Sequence, residues 1–490
     1  MAENVSFNEI PDNIRVPGIY LEIDPSKAAG GGAVMERRLL LVGQRMSAGT
    51  VAALTPVRLG SQAGDQASAA FGAGSMLHQM AAAARAADAY VDIWAMGLDD
   101  DPAGQAALGK VTLSGSPTAA GTLCLYVGGS RVRIGVAASE SVATLATRLA
   151  ETVNATSGLP VTASAAAGVV TLTCRWKGET GNDLDLRLNY YDGELVPAGL
   201  QAAITAMAGG SANPSVNPVL DAIAGQQYYS IVCPYTDGAN LTALEAEMAD
   251  RFGPMERLTG HVFNARRGNH AQLSTWGNSR NSPHISTLGL YDVPTPPWVA
   301  AAVWATVAES SGSKDPARPF RSLVLTGVLP PPEKSRFTRA ERNLLLFDGI
   351  STFTVDQGGQ VLIETIITNY QTNSFGLPDI SLLRLETKWT VDFVRFRFNA
   401  AIARDYPRHK LGDVAIPGQA YATPTTVRAT LIAEALALAT EDGLIEDIEG
   451  FKRDLIVKRS NQNPNRLNAV LTPNLVNQFD IFAGSVQYRL

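Results

Sequence analysis

Along the middle of the chain, short apolar runs of strand length alternate with longer segments that have the apolar pattern of helices. The short apolar run Tyr228–Pro234 has the length of a buried strand, whereas Leu241–Phe252 and Trp298–Glu309 are typical of helices. Strands that alternate with helices predict a layered α/β sheet between residues 214 and 340. The same patterns predict two more strands and a short helix at Leu258–Asn264, His284–Tyr291 and Gln272–Asn278.

A similar alternation occurs earlier in the chain. Arg38–Gly43 is an apolar run of strand length, and Tyr90–Ala95 is a second short strand. Between them, Ser75–Asp88 is an alanine-rich helix with Ser75 as its predicted N-cap. We therefore assign residues 26–103 to the first part of the same core.

Residues 104–213 differ in composition, with Gly, Ser, Thr, Ala and Val in excess, and predict an inserted β-rich domain. Thr122–Val127 and Arg131–Val136 flank a Gly-Gly-Ser turn, which indicates a hairpin. Apolar residues recur at helical spacing over Ser141–Asn154, and Gly168–Cys174 and Asp183–Leu188 read as further strands.

The remainder predicts a C-terminal α+β domain over residues 341–477. Gly349–Thr354 and Val361–Asn369 read as strands and Asp392–Asp405 as a helix. A second helix begins with Thr423 as its cap and Pro424 at its first position.

Both ends of the chain predict amphipathic strand arms, at residues 1–25 and 478–490. The first arm carries Ile19, Leu21 and Ile23 on one side. The glycine stretch 30–32 and the Asn461–Asn465 segment are predicted hinges for the two arms. The second arm carries its apolar side chains at Phe482, Val486, Tyr488 and Leu490.

Composition narrows the possible functions of this 490-residue chain. Charged residues are 18% of the sequence, against about 25% in typical soluble proteins, so we expect a neutral surface that is suited to burial against neighbours. A net charge of −6 argues against a general nucleic-acid-binding protein. Prolines interrupt the longest apolar stretch, Val293–Ala308, so no membrane insertion is predicted. The three scattered cysteines fit reduced, buried thiols better than disulfides or a metal site.

The sequence offers little catalytic chemistry. Gly104–Lys110 matches the first part of a phosphate loop, but Val111 follows, which has no hydroxyl for Mg²⁺, so we expect a loop at a domain junction. No G-x-S-x-G motif occurs, and the histidines lack metal-ligand spacing, so neither a cofactor nor a metal is predicted. One alternative is a hydrolase on Val219–Pro332 that uses Asp237, His261 and His284.

Two clusters of opposite charge occur in the C-terminal region. One hypothesis is that they pair across copies of the chain or contact a partner, and the alternative is that each is a solvated face. The basic cluster contains Arg395, Arg397, Arg404, Arg408 and Lys410, and the acidic cluster contains Glu441, Asp442, Glu446, Asp447 and Glu449.

Four segments occur in a fixed order along the chain: IRVPGIYLEID, FGAGSMLHQM, the stretch Phe347–Asp379, and YPRHKL at Tyr406–Leu411. Together they resemble the contractile tail sheath proteins of Mu-like bacteriophages and prophages. The resemblance covers most of the chain outside residues 104–213, a segment we expect on the outer surface of an assembly.

The resemblance implies a structural subunit that stacks as hexameric rings around a tail tube. Contraction of the sheath would drive the tube through the host envelope during genome delivery, without nucleotide hydrolysis and without any catalytic residue. In that family the terminal arms join a small sheet of neighbouring subunits, and the C-terminal domain faces the tube.

The implied partners are further copies of the chain, the tube protein, and the baseplate and tail terminator proteins. The implied location is the virion tail, assembled in the host cytoplasm. A non-contractile tube component is a further alternative, although it would not need arms at both ends.

Overall fold

A computed structural model of the protein describes residues 35–489. The predicted N-terminal arm with Ile19, Leu21 and Ile23, the glycine hinge, and Leu490 therefore lie outside the described residues. The first described elements form part of the central core. They are β1 (Leu39–Gln44), β2 (Val57–Leu59), α1 (Ala63–Phe71), α2 (Met76–Ala87) and β3 (Ile93–Leu98).

The next elements belong to the segment that the sequence predicts as an insertion. They are β4 (Ala106–Gly115), β5 (Gly121–Val127), β6 (Ser130–Val136), α3 (Val142–Ala155), β7 (Val161–Ala166), β8 (Val169–Lys177), β9 (Leu186–Leu188) and β10 (Leu200–Ala208).

The chain then returns to the core and continues into its last part. The core elements are α4 (Asn217–Ala222), β11 (Ser230–Val232), α5 (Gly238–Phe252), β12 (His261–Arg267), α6 (His270–Gly277), β13 (Ile285–Leu290), α7 (Pro297–Gly312), α8 (Arg339–Phe347), β14 (Thr352–Val355) and β15 (Val361–Thr365). The last part contains α9 (Leu385–Asp405), β16 (Lys410–Leu411), β17 (Tyr421–Ala422), α10 (Pro424–Thr440), β18 (Ile445–Glu446), α11 (Ile448–Asp454), β19 (Ile456–Arg459), β20 (Leu467–Val470) and β21 (Asn474–Leu475).

A six-stranded sheet lies at the centre of the molecule, with the order β13-β12-β11-β1-β3-β2. All its pairs are parallel except β2 with β3. Leu39 and Leu41 of β1 pack toward α2 and α7, whereas Leu40 and Val42 pack toward α4 and α5 on the other face. Helices on both faces explain why β1 is apolar at successive positions, and the predicted layered α/β core is confirmed.

Helix α7 is buried nearly all the way round, which explains why its sequence shows no polar face. Trp304 packs edge-on against Phe263 of the central sheet, with ring centroids 5.3 Å apart. On another side, Trp298 packs edge-on against Trp176 of β8 at 5.2 Å. The helix therefore joins the central sheet to the segment 104–213.

The segment 104–213 contains two sheets, with the orders β10-β4-β8-β7 and β6-β5-β9. The predicted hairpin is confirmed by the antiparallel pairing of β5 with β6, and the predicted helix by α3 with Ser141 as its N-cap. The expected junction loop at Gly104–Lys110 is wrong, because β4 begins at Ala106 and pairs with β8 and β10. Gly109 and Lys110 belong to this strand.

Helix α9 begins at Leu385, seven residues before the predicted start at Asp392. Its first half is buried although it contains Glu386, Lys388 and Asp392. The Lys388 ammonium lies 2.9 Å from Asp392 and donates to the carbonyl of Gly260 at 2.6 Å. Pairing with each other and with the backbone allows these charged side chains to lie in the core. Because charged residues stand at buried positions, the sequence lacks the apolar pattern that would have predicted this part of the helix.

A second buried charge lies beside the first. Arg37 precedes β1, and its guanidinium forms an ion pair with Glu309 of α7 at 2.6 Å. The same guanidinium stacks over the rings of Tyr229 and Trp389, 3.9 and 4.6 Å from their centroids. The Tyr229 hydroxyl donates to Asp392 at 3.4 Å, so the two ion pairs belong to one network. This network joins the start of the described chain, the central sheet and α9.

Two buried histidines lie near Lys388. His261 contacts Ser286 through its Nε2, 2.8 Å from the hydroxyl. Burial and the nearby Lys388 charge lower the pKa of His261 well below its usual value. The same causes, with Arg395, lower the pKa of His284 to about 3. Both imidazoles are therefore neutral in the folded chain at neutral pH.

Acid should destabilise the subunit through these histidines. Below the unfolded pKa of about 6.5, the unfolded state binds protons that the folded state does not, so stability falls as the pH falls. We expect the free energy of unfolding to drop by about 2 kcal/mol between pH 6 and pH 5, and by about half as much in a His284→Gln variant. Urea denaturation at both pH values measures this, and an equal drop in the variant would contradict the assignment.

Candidate assembly surfaces

The three residues of the hydrolase alternative do not form one site, although the two histidines lie next to each other at the start of paired strands. His261 begins β12 and His284 directly precedes β13, so both lie at the amino edge of the parallel strands. Asp237 follows the carboxyl end of β11, where it caps α5 by accepting from the Asn240 amide at 3.0 Å. Ser230, a further polar side chain of the same sheet, donates its hydroxyl to Glu309. Asp237, His261 and His284 therefore do not form the single site that the hydrolase alternative requires. No cluster of metal-ligating side chains occurs within residues 35–489.

The C-terminal tail, which we define as residues 481–489, is exposed along its whole described length. Phe482, Val486 and Tyr488 are 83%, 93% and 81% exposed, and Ile481 is 83% exposed. The tail belongs to neither a helix nor a strand pair among the described residues. It thus presents apolar side chains to solvent, which is costly for an isolated subunit and typical of an interface.

The tail leaves the subunit at a well-defined point. Asp480 is half-buried, and its carboxylate forms an ion pair with Arg384. The backbone carbonyl of Asp480 accepts from Arg321 at 2.8 Å. Just before it, the side chain of Gln478 donates to the carbonyl of Ala317 at 3.3 Å. The sequence did not identify Arg321 or Arg384, because both lie far from the tail along the chain and carry no local pattern.

Strands β19 and β20 form an antiparallel hairpin in the last part of the chain. Val457 and Leu467 pack toward the C-terminal core, whereas Ile456 and Val470, which face each other across the hairpin, are about half exposed. Neither strand pairs with a third strand within residues 35–489. The hairpin therefore has open edges beside an apolar pair, the features that an added strand requires.

The predicted hinge at Asn461–Asn465 is wrong. This segment is the turn of the β19–β20 hairpin, closed by a bond from the Ser460 amide to the Arg466 carbonyl at 2.9 Å. Within the turn, Asn463 accepts from the Asn465 amide at 2.9 Å. The turn does not connect to the tail, so any bending of the tail has to occur elsewhere.

The basic cluster is divided between buried and exposed positions. Arg395 donates to the carbonyl of Phe252 at 2.6 Å, and Arg397 is bound within the subunit. Arg404 pairs with its neighbour Asp405, and Lys410 donates to Gln419 at 2.9 Å. Arg408 is exposed and forms no ion pair within residues 35–489.

The acidic cluster has internal partners at several positions. Glu446 accepts from Asn474, Asp447 caps α11, and Glu449 pairs with Lys452 at 2.7 Å. Glu441, which ends α10, is exposed.

The two clusters meet inside one subunit. Arg397 contacts Glu434 of α10 and Asp442 just after it, both at 2.6 Å. Both ion pairs of Arg397 are intramolecular. Contacts between the remaining charged residues of the two clusters and another copy of the chain stay a prediction.

A second exposed apolar group lies on the loop between β15 and α9. Phe375, Leu377 and Ile380 are 87%, 61% and 79% exposed. The loop is nonetheless ordered, because Asn373 accepts from the amides of Phe375 and Leu377 at 2.9 and 3.1 Å. The sequence contained this signal in the run NSFGLPD, where apolar residues occur between turn formers.

Within residues 35–489, no helix has both the length and the apolar character needed to cross a membrane.

Comparison with known proteins identifies the family. Residues 209–369 match the phage tail sheath protein central domain, and residues 378–489 match the phage tail sheath C-terminal domain. The chain is 38% identical over 493 positions to the Mu-like prophage FluMu tail sheath protein of Haemophilus influenzae, an alignment that covers 99% of this chain and 100% of that protein.

Solved structures of low sequence identity also resemble the chain. The sheath tail protein of Desulfitobacterium hafniense is 14% identical with a TM-score of 0.48, over 94% of this chain and 100% of that one. The anti-feeding prophage helical sheath in its contracted state is 11% identical with a TM-score of 0.46, over 97% of this chain and 99% of that one. On the end-to-end match to the Haemophilus protein, the chain belongs to the phage tail sheath family, and it is a structural component of a phage tail.

Proposed function

We propose that this sheath protein polymerises as stacked hexameric rings around a tail tube, and that its subunits are joined by exchange of terminal strands. The observation that carries the proposal is the exposed C-terminal tail, whose apolar side chains have no partner among the described residues. A single subunit gains nothing from such a tail. A neighbouring subunit, in contrast, can bury both its apolar face and its backbone polar groups.

The β19–β20 hairpin is the proposed acceptor. It offers open edges and the exposed pair Ile456 and Val470, against which Phe482 or Val486 of another copy could pack. Residues 481–490 extend over about 33 Å at ~3.3 Å per residue, enough to reach an adjacent subunit. Backbone pairing of this kind holds subunits together while each subunit rotates as a rigid body.

Strand exchange allows the sheath to contract without nucleotide hydrolysis. In the proposed cycle, the extended sheath is assembled as a kinetically trapped state, and the contracted sheath buries more surface between subunits. Contraction would then drive the tube through the host envelope for genome delivery. The tube, baseplate and tail terminator proteins are the proposed partners, and assembly would take place in the host cytoplasm.

Deletion of residues 481–490 is the direct test of strand exchange. Residues 481–489 have no hydrogen bond to the rest of the described chain, so the variant should fold with an unchanged melting temperature and yet form no tubes. Negative-stain microscopy detects the tubes, and circular dichroism follows folding. Tubes of normal diameter from the deletion variant would contradict the proposal.

A Tyr488→Pro substitution tests whether the backbone of the tail is paired. Proline removes one N–H donor, so assembly should require a higher protein concentration if that donor bonds to a neighbour. Tyr488→Val is the matched control, because it removes the aromatic ring but keeps the N–H and favours a strand. Sedimentation across a concentration series measures assembly. Equal assembly of the proline and valine variants would exclude backbone pairing at this residue.

Two arginine substitutions distinguish charges that act within a subunit from charges that act between subunits. Arg397→Ala should lower the free energy of unfolding by about 2 kcal/mol, because it leaves the buried Glu434 without its partner. Arg408→Ala should change it by less than about 0.5 kcal/mol, because Arg408 is exposed, and should instead weaken assembly. Urea denaturation and sedimentation measure the two effects. Normal assembly of the Arg408 variant would show that this residue is only a solvated charge.

A further inference from the structure

The point at which the C-terminal tail becomes free is set by two arginines. Arg384 binds the side chain of Asp480, and Arg321 binds its backbone carbonyl at 2.8 Å. A carboxylate and a carbonyl of the same residue are thus held by separate donors. Every residue after Asp480 in the described chain is exposed. The change from bound to free chain therefore falls between Asp480 and Ile481.

The arginine that holds the carboxylate is itself firmly placed. Arg384 directly precedes α9, and its carbonyl accepts from the Lys388 amide at 3.1 Å. Arg384 also forms a bridge with Ile367, and its guanidinium contacts the Thr365 hydroxyl. Because Lys388 is anchored in the buried network, the position of Arg384 is fixed relative to the central sheet.

We infer that Asp480 is a positioning residue that fixes where the tail leaves the subunit and which of its faces turns toward a neighbour. The inference rests on the proposed strand exchange. Side chains alternate between the two faces of a strand, so a shift of one residue would turn Phe482, Val486 and Tyr488 to the opposite face. Two donors that recognise one residue set this register.

Release of Asp480 would also lengthen the free tail. The preceding backbone bond runs from the Val476 amide to the Leu444 carbonyl at 3.1 Å. Without the arginine contacts, the last contact before the tail would be the bond from the Gln478 side chain to the Ala317 carbonyl, so the chain would be free from about residue 479 onward. A longer and less directed tail has a lower effective concentration at the neighbouring hairpin, and more of its residues have to be ordered on binding.

An Asp480→Ala variant of the full chain tests the inference. We expect an unchanged melting temperature and an about tenfold higher protein concentration for tube formation, because the tail is no longer pre-organised. Asp480→Glu keeps the carboxylate and should restore much of the assembly. Asp99→Ala is the control, because it removes an aspartate–arginine ion pair of another part of the chain, the one that Asp99 forms with Arg45 at 2.7 Å.

A distance measurement on dilute subunits provides a readout that is independent of assembly. Spin labels on Val486→Cys and Tyr90→Cys, both exposed sites, would be selective because the native cysteines are buried. The distance distribution should broaden when Asp480→Ala is added. Either an unchanged distribution or assembly equal to that of the Asp99→Ala variant would overturn the inference.

The deletion of residues 481–490 separates this inference from the proposed function. If the deletion variant still forms tubes, strand exchange itself fails. If the deletion abolishes tubes but Asp480→Ala assembles like the Asp99→Ala control, only the positioning role of Asp480 fails.

Discussion

Lys388 and Asp392 are buried in the core and form an ion pair with each other at 2.9 Å. Removal of either partner would leave an isolated charge in the core, a cost that usually exceeds the value of the pair itself. The pair therefore acts as a constraint on geometry. The depth and rotation of helix α9 place Lys388 within reach of both Asp392 and the Gly260 carbonyl, and Arg37 and Arg384 contact the same helix. Contacts at both ends of the described chain therefore depend on this helix: Arg37 stacks on its Trp389, and Asp480 binds Arg384 directly before it.

Much of the fold was predictable where burial follows a simple rule. The apolar run of β1 and the uniformly apolar α7 indicated elements that are covered on both sides, and the Gly-Gly-Ser turn indicated a hairpin. The start of α9 was not predictable, because Glu386, Lys388 and Asp392 read as exposed positions until their partners are known. The start of strand β4 was read as a junction loop, because Gly104 and Gly109 lie where the composition of the chain changes. Helix α8 was overlooked although its capping box, Thr338 with Glu341, is visible in the sequence.

The assembly surface was predictable only in part. Alternation of apolar residues near the C-terminus indicated a strand without a local partner, and the exposure of Phe482 and Val486 agrees with that. The contacts that hold the tail were not predictable, since Arg321 and Arg384 have no sequence relationship to Asp480. Likewise, sequence alone cannot tell a charge pair within a subunit from one between subunits. The end of α9, two short strands and α10 separate Arg397 from Asp442 along the chain, and only the packing of α9 against α10 brings them together.

The segment 104–213 enters and leaves the core through neighbouring antiparallel strands, where Gln105 and Ser211 form a bridge. Ends that are this close allow a whole module to be gained or lost during evolution without any change in the order of the central sheet. The contact of Trp176 with Trp298 opposes such a change, because loss of the module would expose an indole on α7. Sheath proteins that lack a segment equivalent to residues 104–213 should therefore have a smaller or polar residue at the position of Trp298.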